Sequence, residues 1–173
     1  MKRIIAALAL ALSLALAPVA FCADGVKLGS VDVQKILILS DAGKEAKEQL
    51  AARGNKYEAE KNTREEELKK LKGELEKQSV LLSESARSAK EKDYQQKLKE
   101  YQRFLKDAQE DLQAKNDELT NKIVEEIVKV IQDYGKKNGY SFIFVKNDSM
   151  IYVDEKADLT EELLKAFNAS KKK

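Results

Sequence analysis

The sequence predicts an α+β chain dominated by a long antiparallel helical hairpin, a coiled-coil arm set on a small β-rich oligomerisation body. Three observations predict it. First, apolar residues recur at Tyr94, Leu98, Tyr101, Leu105, Ala108, Leu112, Leu119, Ile123, Ile127, Val130 and Tyr134, in the steps of three and four that mark one helix face. Second, Leu50, Tyr57, Leu68, Leu71, Leu75 and Leu82 keep the same rhythm earlier in the chain. Ordinary globular helices run to roughly 8–20 residues, so a rod this long needs a partner, and the earlier stretch supplies it. Third, short β-branched and aromatic stretches stand at both ends of the periodic region and read as strands.

The chain opens on an export signal, assigned to residues 1–23. Lys2 and Arg3 precede an apolar run from Ile4 to Ala17, followed by Pro18 and small residues around Ala20 to Ala23. The run is too short for a membrane-spanning helix, which needs roughly 18 or more apolar residues. Cutting after Ala23 leaves the bulky Phe21 at the third position back, and cutting after Cys22 puts Ala20 there. A lipid anchor on Cys22 is the alternative. Removing the signal takes Lys2 and Arg3 from the 32 basic residues and leaves 30 facing 30 acidic ones, a formally neutral mature chain. Export implies an oxidising compartment, but with one Cys, inside the signal region, disulfides contribute nothing to the fold.

Residues 26–33 read as the first strand, with Leu28, Val31 and Val33 as candidates for the oligomer core. Ser40-Asp41 offers an N-cap for the arm, assigned to residues 41–123 with its tip near 80–88. Acid–base pairs at i and i+4 (Glu60–Arg64, Glu65–Lys69, Glu66–Lys70, Glu118–Lys122, Glu125–Lys129) support exposed helices by about 0.2–0.5 kcal/mol each. Gly54, Lys61, Arg64 and Gln78 fall where the outgoing rhythm asks for apolar residues, and Lys115 interrupts the return rhythm, so the seam is expected to be loose. Ser83 or Ser85 can cap the return helix. Between Lys69 and Lys106 basic residues outnumber acidic ones eleven to six, which makes the tip basic.

Near the base the apolar stripe widens to Ile123, Val124, Ile127, Val128, Val130 and Ile131, as for a helix covered by several neighbours. Gly135 and Gly139 flank the helix end. Tyr140 to Val145 then reads as a strand carrying Phe142 and Phe144, paired as a hairpin through Lys146–Ser149 with a strand at 150–153 carrying Ile151 and Val153. Asp158 with Glu161 suggests a capping box for a last helix over 159–167. Residues 24–40 and 124–173 thus make the body. Two or three short strands, apolar on both faces, cannot be covered within one chain, so copies are expected to pack their strand regions together.

Catalysis has little to work with: the sequence has no His and no Cys beyond the signal region, and no Cys/His cluster for zinc. Gly43-Lys44 fails as a phosphate loop, because Glu45 follows and Ile38 stands where the first Gly belongs. No cofactor is expected. Export and neutrality also argue against nucleic acid as a partner.

Leu28-Gly29-Ser30-Val31-Asp32-Val33-Gln34-Lys35-Ile36-Leu37, with Ser40-Asp41-Ala42-Gly43-Lys44, resembles the opening of the Skp/OmpH family of periplasmic chaperones. Tyr140 to Val145, Ile151 to Asp154 and Asp158-Leu159-Thr160 resemble its close. The resemblance implies a periplasmic homotrimer with a small β-rich body, whose arms enclose unfolded outer-membrane proteins without ATP. On that reading Lys69, Lys70, Lys72, Lys77, Arg87 and Lys90 are candidates for long-range attraction to clients, and Leu81, Leu82, Tyr94 and Tyr101 for apolar contact. Weak membrane or lipopolysaccharide contact through the basic tips is a further expected partnership. A structural or lipid-anchored envelope coiled coil, acting as a spacer or adaptor, is the alternative.

Overall fold

The computed structural model describes residues 25–78 and 83–171, so the signal region and the tip residues Leu81 and Leu82 lie outside the described residues. In chain order the elements are β1 (Leu28–Val31), α1 (Val33–Leu39), α2 (Asp41–Gln78), α3 (Glu84–Lys137), β2 (Phe142–Val145), a short 3-10 turn (Glu155–Ala157) and α4 (Thr160–Ser170).

The stretch read as one strand is divided at Asp32. Its carboxylate accepts the Lys35 N–H at 2.8 Å and caps α1, so Val33 begins a helix instead of ending a strand. Here local capping overrides the β-propensity of Val33 and the isoleucines that follow. α1 turns Ile36 fully into the core and leaves Ile38 and Leu39 exposed. Ser40 then ends α1 and caps α2. Its N–H donates to the Ile36 carbonyl (2.9 Å) and its Oγ accepts the Gly43 N–H (3.1 Å).

α2 and α3 run antiparallel and form the expected hairpin. Ser83, and not Ser85, caps α3 by accepting the Ala86 N–H at 3.4 Å. The helix continues through a buried Gly135 to Lys137. Gly139, at φ +68°, supplies the left-handed turn that lets the Tyr140 N–H return to the Gly135 carbonyl at 3.0 Å.

β2 pairs in parallel with β1, in the register Leu28↔Phe142, Gly29↔Ile143, Ser30↔Phe144 and Val31↔Val145. The expected hairpin with residues 150–153 does not form. Asn147 instead accepts the Ser149 N–H through its side chain (3.0 Å) and the Met150 N–H through its carbonyl (2.9 Å), and the chain continues without a strand. The helical hairpin is itself the long crossover that parallel pairing requires. On its other side β1 takes up the segment entering α4: the Leu159 N–H donates to the Ser30 carbonyl at 2.8 Å and the Asp32 N–H to Thr160 Oγ1 at 2.9 Å. Both edges of β1 are therefore occupied, while the outer edge of β2 has no strand against it among the described residues.

The core lies at the base of the hairpin. Val31, Ile36, Ala46, Ile123, Ile127, Leu159, Leu163 and Phe167 form one buried cluster, with Leu119, Val130, Ile131 and Tyr134 packed around it. The widened stripe of α3 is covered there by α1 and α4. A fully buried Leu or Phe side chain contributes about 1.5–3 kcal/mol, so α4 is held chiefly by Leu163 and Phe167.

The expected capping box does not form, because Leu159 and not Asp158 holds the N-cap position of α4, with no side-chain cap. Asp158 accepts from the Thr160 N–H (3.0 Å) and hydroxyl (2.6 Å) and from Lys146 Nζ (2.7 Å), whereas Glu161 reaches across to Lys35 at 2.7 Å. Burial pushes the Asp158 carboxyl up, but the hydrogen bonds from Lys146 and Thr160 outweigh it and hold the group below its usual range. A carboxyl with a lowered folded pKa stabilises the fold above its unfolded pKa, and that stability is lost as pH falls through the folded value. Asp158→Ala removes the hydrogen bonds to Thr160 and Lys146 and is therefore expected to lower stability by about 1 kcal/mol near neutrality. Urea unfolding should show the difference from wild type narrowing as pH drops below the usual carboxylate range.

Candidate binding surfaces on the arm and the sheet

Above the base the hairpin changes character. Between Ala46 and Ala108 no described residue is buried. Leu68, Leu71, Leu75, Tyr94, Leu98 and Tyr101 lie along the seam as the periodicity requires, but each is only half-buried. One seam position differs from expectation. Phe104 takes the place read for Leu105: its ring meets Tyr57 edge-on (centroids 6.0 Å apart, 62°), while Leu105 is 38 % exposed. Arg64, which interrupts the outgoing rhythm, lays its guanidinium over the Phe104 ring at 4.6 Å and pairs with Glu60 at 2.6 Å.

Polar side chains tie the two helices together at successive levels. Asp111 accepts from the Arg53 guanidinium and from the Tyr57 hydroxyl (2.7 Å). Further out, the Tyr101 hydroxyl donates to Glu65, Lys97 pairs with Glu67 at 3.0 Å, and Lys90 pairs with Glu74 at 2.9 Å. The perturbations follow these contacts. Arg53, then Tyr57, holds the Asp111 carboxyl below its usual range, and Lys90 does the same for Glu74. The Tyr57 and Tyr101 phenols are raised, chiefly because each donates to a carboxylate. Such exposed pairs each add little to stability. They set the register of the helices without excluding water.

The predicted arm residues fall into two groups. Lys69, Lys70, Lys72 and Lys77 are exposed on α2, and Arg87 is exposed beside Glu91 at 2.9 Å. Lys90, Tyr94 and Tyr101 belong to the contact between helices: Lys90 and Tyr101 reach Glu74 and Glu65, and Tyr94 is half-buried. Residue spacing identifies pairs within one helix, but pairs between helices depend on a register that spacing leaves open.

At the base the sheet presents an apolar face. Side chains alternate along a strand, which puts Leu28, Phe142 and Phe144 on one side. Their exposures are 49 %, 58 % and 49 %, and the two phenylalanine rings stack at 6.0 Å. Ile151, at 99 %, and Tyr152 follow on the extended segment beyond β2. Val31 faces the opposite way into the chain's own core, Val33 is half-buried on α1, and Val153 is half-buried, so these three are less available than expected. Among the described residues no helix is long and apolar enough to cross a membrane, and no group of His, Cys, Asp and Glu is placed to hold a metal.

The fold thus defines a class: a hairpin arm with a half-open polar seam, rooted in a small base that leaves an apolar sheet face uncovered. The sequence model of the OmpH-like outer membrane protein family matches residues 27–167, and the chain belongs to that family. It is a family of chaperones and not of enzymes. The fold is similar to that of a candidate outer membrane chaperone (OmpH-like) from Caulobacter crescentus CB15, with a TM-score of 0.78 and 16 % identity over 83 % of this chain and 84 % of that one. Among curated proteins no sequence matches.

Proposed function

We propose that the chain is an ATP-independent holdase of the periplasm, exported by a cleaved signal peptide. In this reading it assembles as a homotrimer through its strand regions and encloses unfolded outer-membrane β-barrel proteins between its arms. The observation that carries the proposal is the contrast along the chain: a buried core at the base, and no buried described residue between Ala46 and Ala108. Unfolded barrel proteins alternate apolar and polar residues and expose unpaired strand edges that aggregate. Half-buried seam residues and exposed lysines offer such a client many weak contacts. Several arms sum those contacts through effective concentration, yet each contact is released easily. The exposed Phe142, Phe144 and Leu28 supply the apolar surface through which copies would join.

The test dilutes a urea-unfolded outer-membrane barrel protein into buffer with a stoichiometric amount of the assembled protein. Light scattering should stay near baseline, and turbidity equal to that of the unprotected client would overturn the proposal. The role of the tip charges is separable. Replacing Lys69, Lys70 and Lys72 together with Ala is expected to weaken client capture several-fold at about 0.01 M salt and hardly at about 1 M, because screening lengths fall from about 30 Å to about 3 Å. A loss independent of ionic strength would show that these residues do not act as charges. Weak membrane or lipopolysaccharide contact would draw on the same exposed lysines.

A further inference from the structure

One flank of the hairpin seam carries a groove of about 560 Å3. Its floor is the Tyr57–Phe104 pair with Ala108 and Leu112, and it opens where Gly54 has no side chain. A Cβ at Gly54 would meet nothing within 4 Å.

Charge is sorted across the seam. Arg53, Asp111, Arg64, Arg103 and Asp107 line the cavities on the opposite flank. The Gly54 flank is rimmed by the amides of Gln109, Gln113 and Asn116; the last two donate their NH2 groups to Asp117, which leaves their carbonyl oxygens to accept. Its two charged residues, Glu58 and Lys61, neutralise one another at 3.0 Å. An apolar floor with an amide rim and no net charge offers a phosphate group no surplus positive charge. It matches an uncharged partner that has both apolar side chains and peptide groups to hydrogen-bond. Leu105, at the groove's edge, adds exposed apolar surface of the same kind.

We infer that the Gly54 groove is a docking site for an extended, uncharged stretch of unfolded polypeptide, seating an aromatic or large aliphatic side chain over Tyr57 and Phe104 while the amide rim meets its backbone. This rests on the holdase proposal and names where on the arm a client segment sits. The seating is local, so it requires no closure of the arms.

The test uses the full-length protein and a fluorescently labelled ten-residue peptide in which Tyr and Leu alternate with Ser and Thr. Binding is followed by anisotropy. Gly54→Leu fills the groove and is expected to weaken peptide binding about tenfold, whereas Gly54→Ala, which leaves most of the space, should stay within about threefold of wild type. Unchanged circular dichroism keeps the comparison valid. Wild-type affinity in Gly54→Leu, or no binding of the peptide by wild type, would overturn the inference. So would a change in sedimenting mass on Gly54→Leu, which would mean that a second copy occupies the groove. The two readings fail separately. Suppression of barrel-protein aggregation by wild type together with unaltered peptide binding in Gly54→Leu removes the docking site alone. Failure of wild type to suppress aggregation removes the holdase itself.

Discussion

Phe144→Asp is expected to sediment as a folded monomer at concentrations where the proposed assembly of the wild-type chain would form. Phe144 is half exposed on the sheet face it shares with Leu28 and Phe142, so a carboxylate there reaches water in the single chain and leaves the core unchanged. In an assembly that covers this face, the same carboxylate is buried without a partner. An uncompensated buried charge costs roughly 3–5 kcal/mol, enough to weaken association about a thousandfold at a single contact. The far-ultraviolet circular dichroism should match wild type while the mass by sedimentation or light scattering falls. An unchanged mass would mean that copies do not meet through this face. Loss of helix content together with loss of mass would place Phe144 in the chain's own core, against its exposure.

The hairpin was legible because coiled-coil periodicity is a local signal repeated many times. Ser40 and Ser83 marked the helix starts for a similar reason, since a cap acts within one turn. What was illegible depends on distance. Two apolar runs separated by Lys146–Ser149 look like a β-hairpin, yet β2 pairs with β1, and Leu28↔Phe142 is a contact that no local pattern encodes. The choice between Phe104 and Leu105 was equally hidden. From Tyr101 a step of three or of four keeps the rhythm, and Ala108 follows from either. Tyr57 across the seam decides for Phe104. The cross-helix carboxylate pairs of Glu65, Glu67 and Glu74 were missed because they require the register of two helices, whereas the pair Glu60–Arg64 lies within one.

Gly43→Ala is expected to destabilise the base by about 3 kcal/mol or more, well beyond an ordinary surface change. A Cβ at Gly43 would sit 1.7 Å from the Leu37 carbonyl oxygen and 2.9 Å from its carbonyl carbon. Both are backbone atoms, so no side-chain rotation relieves the overlap. α1 would have to swing away from α2. That movement breaks the Ser40 Oγ contacts to the Gly43 N–H (3.1 Å) and the Leu37 carbonyl (3.3 Å) and withdraws Ile36 from its cluster with Leu163 and Phe167. The glycine of Gly43-Lys44 is thus explained by close approach at a helix junction. Gly54→Ala provides the opposite case with the same chemistry. It too lies in α2, its Cβ would meet nothing, and the gain in helix propensity should stabilise the chain by up to about 1 kcal/mol. Urea unfolding of the two variants should therefore move in opposite directions from wild type. Equal shifts would mean that helix propensity alone governs both positions and that α1 does not close onto α2 as tightly as its Leu37 carbonyl implies.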